Sequence, residues 1–265
     1  MNRERRLPSL ISSDYYWQRK REEVTALLRR NRDRFEANAL FVELGCGRAR
    51  DIWSIRDTLR DLALTYECAD ADPERLVLAE ARKAYHGLQD TVDDVSFIEY
   101  DITEGLPWAP NSVDILYSSE VFEHILDIDA LVADVATIMR PGGYVLLTTP
   151  NQPNVLQRSF YSKKRRREIA KANAEPIEMM SNGTPLYGHV TLKTNTEWDA
   201  LFKQHNFHLA DHGRGSVWYG GTDFHESKFM LAAEFLFDGF LDLLPRNWVR
   251  SVSDQVIALY QYDGE

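Results

Sequence analysis

Short apolar runs alternate with segments of helical periodicity through the first 150 residues of this 265-residue chain. The runs are typical of strands buried on both faces, and they lie at 40–44, 64–70, 95–100, 113–117 and 144–148. The helical spacing predicts helices at about 49–60, 73–86 and 127–139, and Pro141-Gly-Gly143 is expected to end the last of them. This alternation predicts an α/β fold with a doubly wound, mostly parallel sheet and helices on both faces.

A predicted helix precedes the first strand. Asp14 can cap this helix, which runs to about Arg30 with Trp17 on its inner face. The helix belongs to residues 1–35, which we expect to form a helical cap over a pocket at the strand ends.

Beyond residue 150 the alternation of predicted strands and helices stops, and it begins again near residue 194. Residues 152–188 are too long for a simple connection between elements, so they predict a lid inserted at the substrate mouth. Thr194 and Glu197 then form a capping box for a helix to about His205. The remaining predicted elements are a strand near 207–212, a helix near 226–243 and a strand over 256–261. The chain is predicted to be a single domain over 1–265, with the insertion inside it.

The net charge of the chain limits the kinds of molecule that it is expected to bind. A net charge of -10 argues against a nonspecific nucleic-acid binder, because phosphate contacts require a basic surface. The basic run at 163–167 is the exception, and a solvated helix face is its simplest interpretation. Nucleic acid and an anionic substrate group remain the alternatives for that run, and overall the acidity favours a small or neutral substrate.

The cysteines and the apolar runs indicate the cellular compartment in which we expect the protein. The two cysteines, Cys46 and Cys68, provide no disulfide framework, which fits a reducing, cytoplasmic location. No run approaches the roughly 20 apolar residues that a membrane span needs. Residues 1–10 are basic but lack the apolar core of a signal peptide, so we expect neither a leader nor a membrane anchor.

A glycine turn follows the first strand, and an acid ends the second. Gly45 and Gly47 permit positive φ and a close approach of ligand to backbone. In a doubly wound sheet Asp70 lies beside that turn, where its carboxylate can accept hydrogen bonds from ribose hydroxyls, while Asp72 is better placed to cap the next helix. A dinucleotide fingerprint would need a glycine where Arg50 stands. These residues therefore predict a nucleoside site without pyrophosphate.

The order Glu43, Gly45, Gly47, Asp70 and Asp101 resembles the class I S-adenosylmethionine-dependent methyltransferases. The resemblance implies a Rossmann-like seven-stranded sheet with an antiparallel edge strand, and S-adenosylmethionine as cofactor. It implies that Asp101 meets the adenine amino group, although a cap for Thr103 is the alternative role for this carboxylate. The implied cofactor contacts are Glu43, Gly45, Cys46, Gly47, Asp70, Ala71, Asp101, Ile102 and Ser118.

A second set of polar residues follows the fourth strand, at the edge where open α/β sheets bind ligands. On a helical turn, Glu120, Glu123 and His124 fall at i, i+3 and i+4, so two carboxylates and an imidazole share one face. This spacing suits a divalent metal such as Mg²⁺ or Mn²⁺, with His189 as the expected fourth ligand. The alternative is that the acids cap a helix N-terminus and the histidine is packed.

These residues, with Thr149-Pro-Asn151 and His189, resemble the metal-dependent O-methyltransferase branch of that family. This branch includes enzymes that act on the ribose 2′-hydroxyl of small RNAs and enzymes of ubiquinone biosynthesis that act on catechols. Tyr187-Gly-His-Val190 lacks the aromatic and basic residues that follow the histidine in the RNA branch, so RNA is disfavoured.

The expected reaction is methylation of a hydroxyl on a small molecule or sugar, with His124 and Glu123 as catalytic residues. A metal-independent enzyme with His124 as general base is one alternative. A noncatalytic S-adenosylmethionine-binding partner protein is the other. The sugar option depends on aromatic side chains that can stack on a ring, namely Trp198, Trp218, Tyr219 and Phe224.

Overall fold

Seven strands form one sheet in the computed structural model, which describes residues 12–151, 163–216 and 228–264. The strands are β1 (Leu40–Leu44), β2 (Thr65–Asp70), β3 (Val95–Glu99), β4 (Val113–Ser119), β5 (Met139–Pro150), β8 (Phe207–His212) and β9 (Gln255–Tyr262). A separate hairpin contains β6 (Pro176–Met179) and β7 (Pro185–Tyr187). The helices are α1 (Ser12–Asn31), α2 (Ile52–Thr58), α3 (Pro73–His86), α4 (Ile128–Ile138), α5 (Lys163–Ala172), α6 (Asn195–Gln204), α7 (Lys228–Leu241) and α8 (Arg246–Val249).

The order of the strands is β3-β2-β1-β4-β5-β9-β8. Pairs from β3 through β5 are parallel, whereas β9 runs antiparallel to both β5 and the edge strand β8. This arrangement confirms the predicted fold class. β1 pairs with β2 on one side and with β4 on the other, so the strands are added first in one direction from β1 and then in the other. The carboxyl ends of these three strands therefore form the crevice where such sheets bind ligands.

Helices bury apolar side chains on the two faces of the sheet. On one face α1 contributes Val24, Leu27 and Leu28, which pack with side chains of α2 and α3. Trp17 differs from its predicted inward position, since it is 37% exposed. On the other face α4 and α6 pack over the sheet, and Trp198 is completely buried there. Trp198 is therefore a core residue that offers no ring for stacking on a sugar.

Several element boundaries differ from their predicted positions. Strand β5 begins at Met139, so Pro141-Gly-Gly143 lies within the strand and does not separate it from the helix. A side chain at Gly143 would meet the carbonyl oxygens of Arg140 and Asp114 at 2.8 and 2.9 Å, which explains the glycine in this crowded place. The register between β4 and β5 also shifts beside it.

The described part of the predicted insertion consists of α5 and the β6–β7 hairpin. Lys164, Arg167 and Lys171 on α5 are exposed, which agrees with a solvated basic face. Within the described residues, no helix has the length and apolar character to cross a membrane. Trp218, Tyr219 and Phe224 lie outside the described residues, as do 1–11 of the predicted cap and 152–162 of the predicted lid.

Candidate active site

The glycine turn after β1 is tied to the end of β2 by its own backbone. Gly45 and Gly47 have φ of 72° and 53°, in the region that favours glycine. A Cβ on Gly45 would stand 2.3 Å from a methyl group of Val121, so no larger residue fits. The N–H groups of Gly45 and Cys46 donate to the carbonyl oxygen of Ala69 at 2.8 and 2.9 Å. The turn is therefore held close against β2.

Asp70 ends β2 and is 5% exposed. Its Oδ2 accepts from the N–H of Gly47 at 2.7 Å and its Oδ1 from the N–H of Asp72 at 3.0 Å. Burial raises the pKa of this carboxyl, while these two N–H groups act in the opposite direction. Asp72 accepts from the N–H of Glu74 and caps α3, as the sequence predicts, so Asp70 is not used as the cap.

A cavity of about 670 Å³ opens over the carboxyl ends of the strands. Five of the predicted cofactor contacts line it: Gly45, Asp70, Ala71, Asp101 and Ile102. Asp101 also accepts from the N–H and the hydroxyl of Thr103, which is the capping role considered as its alternative. The other four predicted contacts are Glu43, Cys46, Gly47 and Ser118, and they are not among the lining residues. Ser118 is fully buried and donates to the carbonyl oxygen of Leu44.

Glu43 lies beneath the turn with its carboxyl almost completely buried. Burial is the main cause of the raised pKa of this carboxyl, and the nearby charge of Asp51 adds to it. Within the described residues, its Oε2 has no hydrogen-bond partner. Since a carboxyl with a raised pKa is most stable when protonated, Glu43 weakens the fold progressively as the pH rises above its usual value near 4.5.

We therefore expect Glu43→Gln to become more stabilising relative to wild type as the pH rises from 5 towards the folded-state pKa. The neutral amide avoids the cost of an ionised carboxyl in this position, a cost that grows by about 1.4 kcal/mol per pH unit. Urea unfolding of both proteins at several pH values measures the effect. A difference in unfolding free energy that stays constant with pH would contradict it.

Lys20 is a site residue that the sequence analysis missed. It is 3% exposed on α1, and its ammonium lies 3.2 Å from Asp51 Oδ2 and 2.5 Å from the hydroxyl of Ser119. Ser119 lines the cavity, so a buried cation stands directly behind the wall. The available signal was a lysine four positions before Val24 on the apolar face of a helix, where a charge needs a buried partner.

The chain after β4 does not form the predicted helical face. Glu120 has a left-handed φ of 55°, and Phe122–His124 is a single 3-10 turn anchored by the buried Phe122. The i, i+3, i+4 alignment of the two acids and the histidine is therefore wrong. Glu120 lies on the cavity wall, and its Oε1 accepts from Thr148 at 3.3 Å and from Gln255 at 3.4 Å.

Three of the four predicted metal ligands nevertheless come together. Single ligand atoms of Glu123, His124 and His189 all lie within 4.8 Å of one another. Glu120 is not a member of this group, because its carboxylate is directed to Thr148 and Gln255. We call Glu123, His124 and His189 the acceptor cluster.

Glu123 is 1% exposed, and its Oε2 accepts from the hydroxyl of Thr149 at 2.9 Å. Its Oε1 has no hydrogen-bond partner among the described residues and lies 3.8 Å from His124 Nε2. Burial raises the pKa of the Glu123 carboxyl, and the negative charge of Glu120 adds to the effect. A buried carboxylate oxygen without a partner is costly unless a proton or a cation accompanies it.

Two imidazole rings complete the acceptor cluster. His124 Nδ1 lies 2.8 Å from the carbonyl oxygen of Tyr187, an acceptor, so Nδ1 is the donor and, in the neutral ring, Nε2 holds the lone pair. The rings of His124 and His189 meet edge to face with centroids 5.1 Å apart. Burial lowers the pKa of His189, and His124 contributes further. Neutral imidazole is the form that binds metals and accepts protons.

A doubly wound sheet with a glycine turn and two acids around one crevice has its ligand-binding position where open α/β sheets bind nucleotides. The model of the family described as "Methyltransferase domain" matches residues 16–212 of this chain. The chain therefore belongs to the methyltransferase domain family. Its class is that of S-adenosylmethionine-dependent methyltransferases, which confirms the prediction from the motifs.

Individual proteins are similar over part of the chain. A ubiquinone biosynthesis O-methyltransferase from Parvibaculum lavamentivorans is 29% identical over 114 residues, or 42% of this chain and 40% of the relative. A probable S-adenosylmethionine-dependent methyltransferase from Mycolicibacterium smegmatis is 28% identical over 151 residues, or 56% of this chain and 51% of the relative. The chain thus spans about two fifths to half of the length of these relatives.

The fold also has solved counterparts. An S-adenosylmethionine-dependent methyltransferase from Methanosarcina mazei aligns with a TM-score of 0.59 at 15% identity, covering 88% of this chain and 97% of that one. At this identity the likeness concerns the fold alone.

Proposed function

We propose that this protein transfers the methyl group of S-adenosylmethionine to a hydroxyl of a small molecule, with a divalent cation held by the acceptor cluster. The observation that carries the proposal is the position of His124, which lines the same cavity as Asp70 and Asp101. The acids proposed to bind the nucleoside and the histidine proposed to act on the acceptor hydroxyl therefore line one cavity. The similarity to ubiquinone biosynthesis O-methyltransferases supports a hydroxyl acceptor.

In this proposal the cofactor side holds the adenosyl group. Asp70 accepts hydrogen bonds from the ribose hydroxyls, since each of its oxygens retains a lone pair after receiving one N–H. Asp101 and Ile102 face the adenine, and Gly45 lets the cofactor approach the backbone. The sulfonium is already an activated electrophile, so the protein mainly aligns the methyl carbon with the acceptor oxygen and removes one proton.

The residues of the acceptor cluster fit a divalent cation. Glu123 offers a buried oxygen that has no hydrogen-bond partner among the described residues, and each histidine offers a ring nitrogen within 4.8 Å of the other ligand atoms. When bound, the cation would supply Lewis-acid stabilisation of an ionised acceptor oxygen. Thr149 orients Glu123 through its hydroxyl, and the Tyr187 carbonyl orients His124. Such outer partners set the direction and tautomer of metal ligands.

A second candidate is a metal-independent transfer in which His124 Nε2 accepts the proton of the acceptor hydroxyl. It is favoured by the fixed tautomer, which leaves the lone pair on the nitrogen that is not bonded to Tyr187. A cofactor-binding protein without activity would require neither this tautomer nor the acceptor cluster.

Chelation separates the two candidates. We expect protein dialysed against EDTA to lose methyl transfer to a catechol such as 3,4-dihydroxybenzoate, and Mn²⁺ or Mg²⁺ to restore it. Transfer from radiolabelled S-adenosylmethionine measures the rate, and Glu123→Gln should no longer respond to added ion. Turnover that is the same with and without chelator would favour His124 as the sole base.

A further inference from the structure

The β6–β7 hairpin reaches from one side of the cavity to the other. Its turn is closed by the N–H of Gly183, which donates to the carbonyl oxygen of Met180 at 2.9 Å. Met180 and the segment 184–187 line the cavity. The hairpin therefore forms a wall that both sides of the site share.

The tip of the hairpin bonds to the nucleoside side. Asn182 Nδ2 donates to the carbonyl oxygen of Ala71 at 2.6 Å, directly after the proposed ribose-binding Asp70. Asn182 Oδ1 accepts from the N–H of Thr184 at 3.1 Å, so one amide both caps the turn and holds the strand end. Ser181 adds a longer bond of 3.3 Å to Asp72.

The base of the hairpin bonds to the acceptor side. The carbonyl oxygen of Tyr187, the last residue of β7, accepts a hydrogen bond from His124 Nδ1. His189 follows two residues later, and the N–H of Thr191 donates to the carbonyl oxygen of Glu123 at 3.0 Å. The segment that follows the hairpin thus carries His189, and the last residue of the hairpin orients His124.

The contact at the tip is weak enough to open. The residues of β6 are all exposed, and the bonds made by Ser181 and Asn182 are exposed to solvent. Exposed hydrogen bonds with little apolar burial around them add little net stability, and such segments open locally.

We propose that Asn182 is a positioning residue that latches the hairpin to the nucleoside side, and that this latch couples cofactor binding to assembly of the acceptor cluster. The inference rests on the proposed function in two respects, because it takes that cluster as the acceptor site and Asp70 as the ribose contact. A cofactor that orders Asp70 and Ala71 also steadies the atom to which Asn182 bonds. By thermodynamic linkage, closure of the hairpin then raises the affinity for the cofactor by the same factor by which the bound cofactor favours closure.

Asn182→Asp tests the latch with little change in shape. The carboxylate keeps an oxygen for the N–H of Thr184 but loses the amide donor that bonds to Ala71 at 2.6 Å and to Glu99 at 3.5 Å. Glu178→Gln, on the exposed strand of the same hairpin, is the matched control. Hydrogen exchange of the Thr191 amide, followed by mass spectrometry with and without S-adenosylhomocysteine, reports on the acceptor side.

In wild type and Glu178→Gln, S-adenosylhomocysteine should slow exchange at Thr191 by about 5- to 150-fold, the usual range of coupling between sites. In Asn182→Asp this slowing should largely disappear, while the amides of Gly45 and Cys46 stay protected. Without ligand, Asn182→Asp should already exchange faster than wild type at Thr191. Equal exchange in the variant and wild type, with and without ligand, would overturn the latch. The chelation assay tests the proposed reaction separately, so the two can fail independently.

Discussion

Replacing His124 by alanine is expected to lower kcat for methyl transfer by about 10²- to 10⁴-fold, the range that positioned proton transfer contributes. His124 is the cavity-lining imidazole whose Nδ1 is bonded to the Tyr187 carbonyl. The substitution removes the Nε2 lone pair whether that nitrogen accepts a proton or binds a cation. Because His124 makes no hydrogen bond to Asp70 or Asp101, affinity for S-adenosylhomocysteine should remain within roughly threefold of wild type.

The matched control is His208→Ala. His208 lies on the edge strand β8, half-exposed, and pairs with Asp263 away from the cavity. Initial rates with a catechol acceptor and calorimetric titration with S-adenosylhomocysteine separate chemistry from cofactor binding. If His124→Ala retained the kcat of His208→Ala, His124 would have no part in the reaction.

Asp70→Asn is expected to weaken binding of S-adenosylhomocysteine by about 100-fold, or about 2.7 kcal/mol. The amide loses the charge that strengthens hydrogen bonds from the ribose hydroxyls, which are worth about 1.5–3 kcal/mol each when the acceptor is ionised. It also cannot accept from both Gly47 and Asp72 as the carboxylate does, because one of its two polar atoms is a donor. Isothermal titration calorimetry measures the change directly.

Asp33→Asn provides the same chemical change where the side chain is 98% exposed. Thermal unfolding without ligand shows whether Asp70→Asn has also loosened the glycine turn, and unfolding with ligand gives the loss of cofactor stabilisation. An Asp70→Asn protein that binds S-adenosylhomocysteine as tightly as Asp33→Asn would remove Asp70 from the ribose site.

The residues proposed to hold the cofactor were predictable as a group because they lie at the ends of consecutive strands. Apolar runs located β1, β2 and β3, and the parallel order places their carboxyl ends at one edge. Asp70 and Asp101 could therefore be assigned to one cavity from their positions alone. Which of the predicted contacts face that cavity was less predictable. Glu43 and Ser118 are next to the last residues of β1 and β4, yet both side chains are buried away from the cavity.

For the acceptor cluster, the sequence predicted the member residues but not their arrangement. Glu123, His124 and His189 carried the right chemistry, but the expected helical alignment with Glu120 failed at a single left-handed residue. A left-handed backbone conformation at one non-glycine residue, Glu120, leaves no periodic signal in the sequence. Lys20 and Asn182 were missed for a related reason, since their partners are far away along the chain.

The sequence by itself determined the doubly wound sheet, the glycine turn and the position of Asp70 and Asp101 at one edge of the sheet, because hydrophobic periodicity and strand-end chemistry are local properties. The tertiary structure alone decided which acid joins the two histidines, how Tyr187 sets the tautomer of His124 across 63 residues, and how the hairpin spans the cavity. These features depend on side-chain directions and on contacts between distant segments, which form only when the packed chain brings them together.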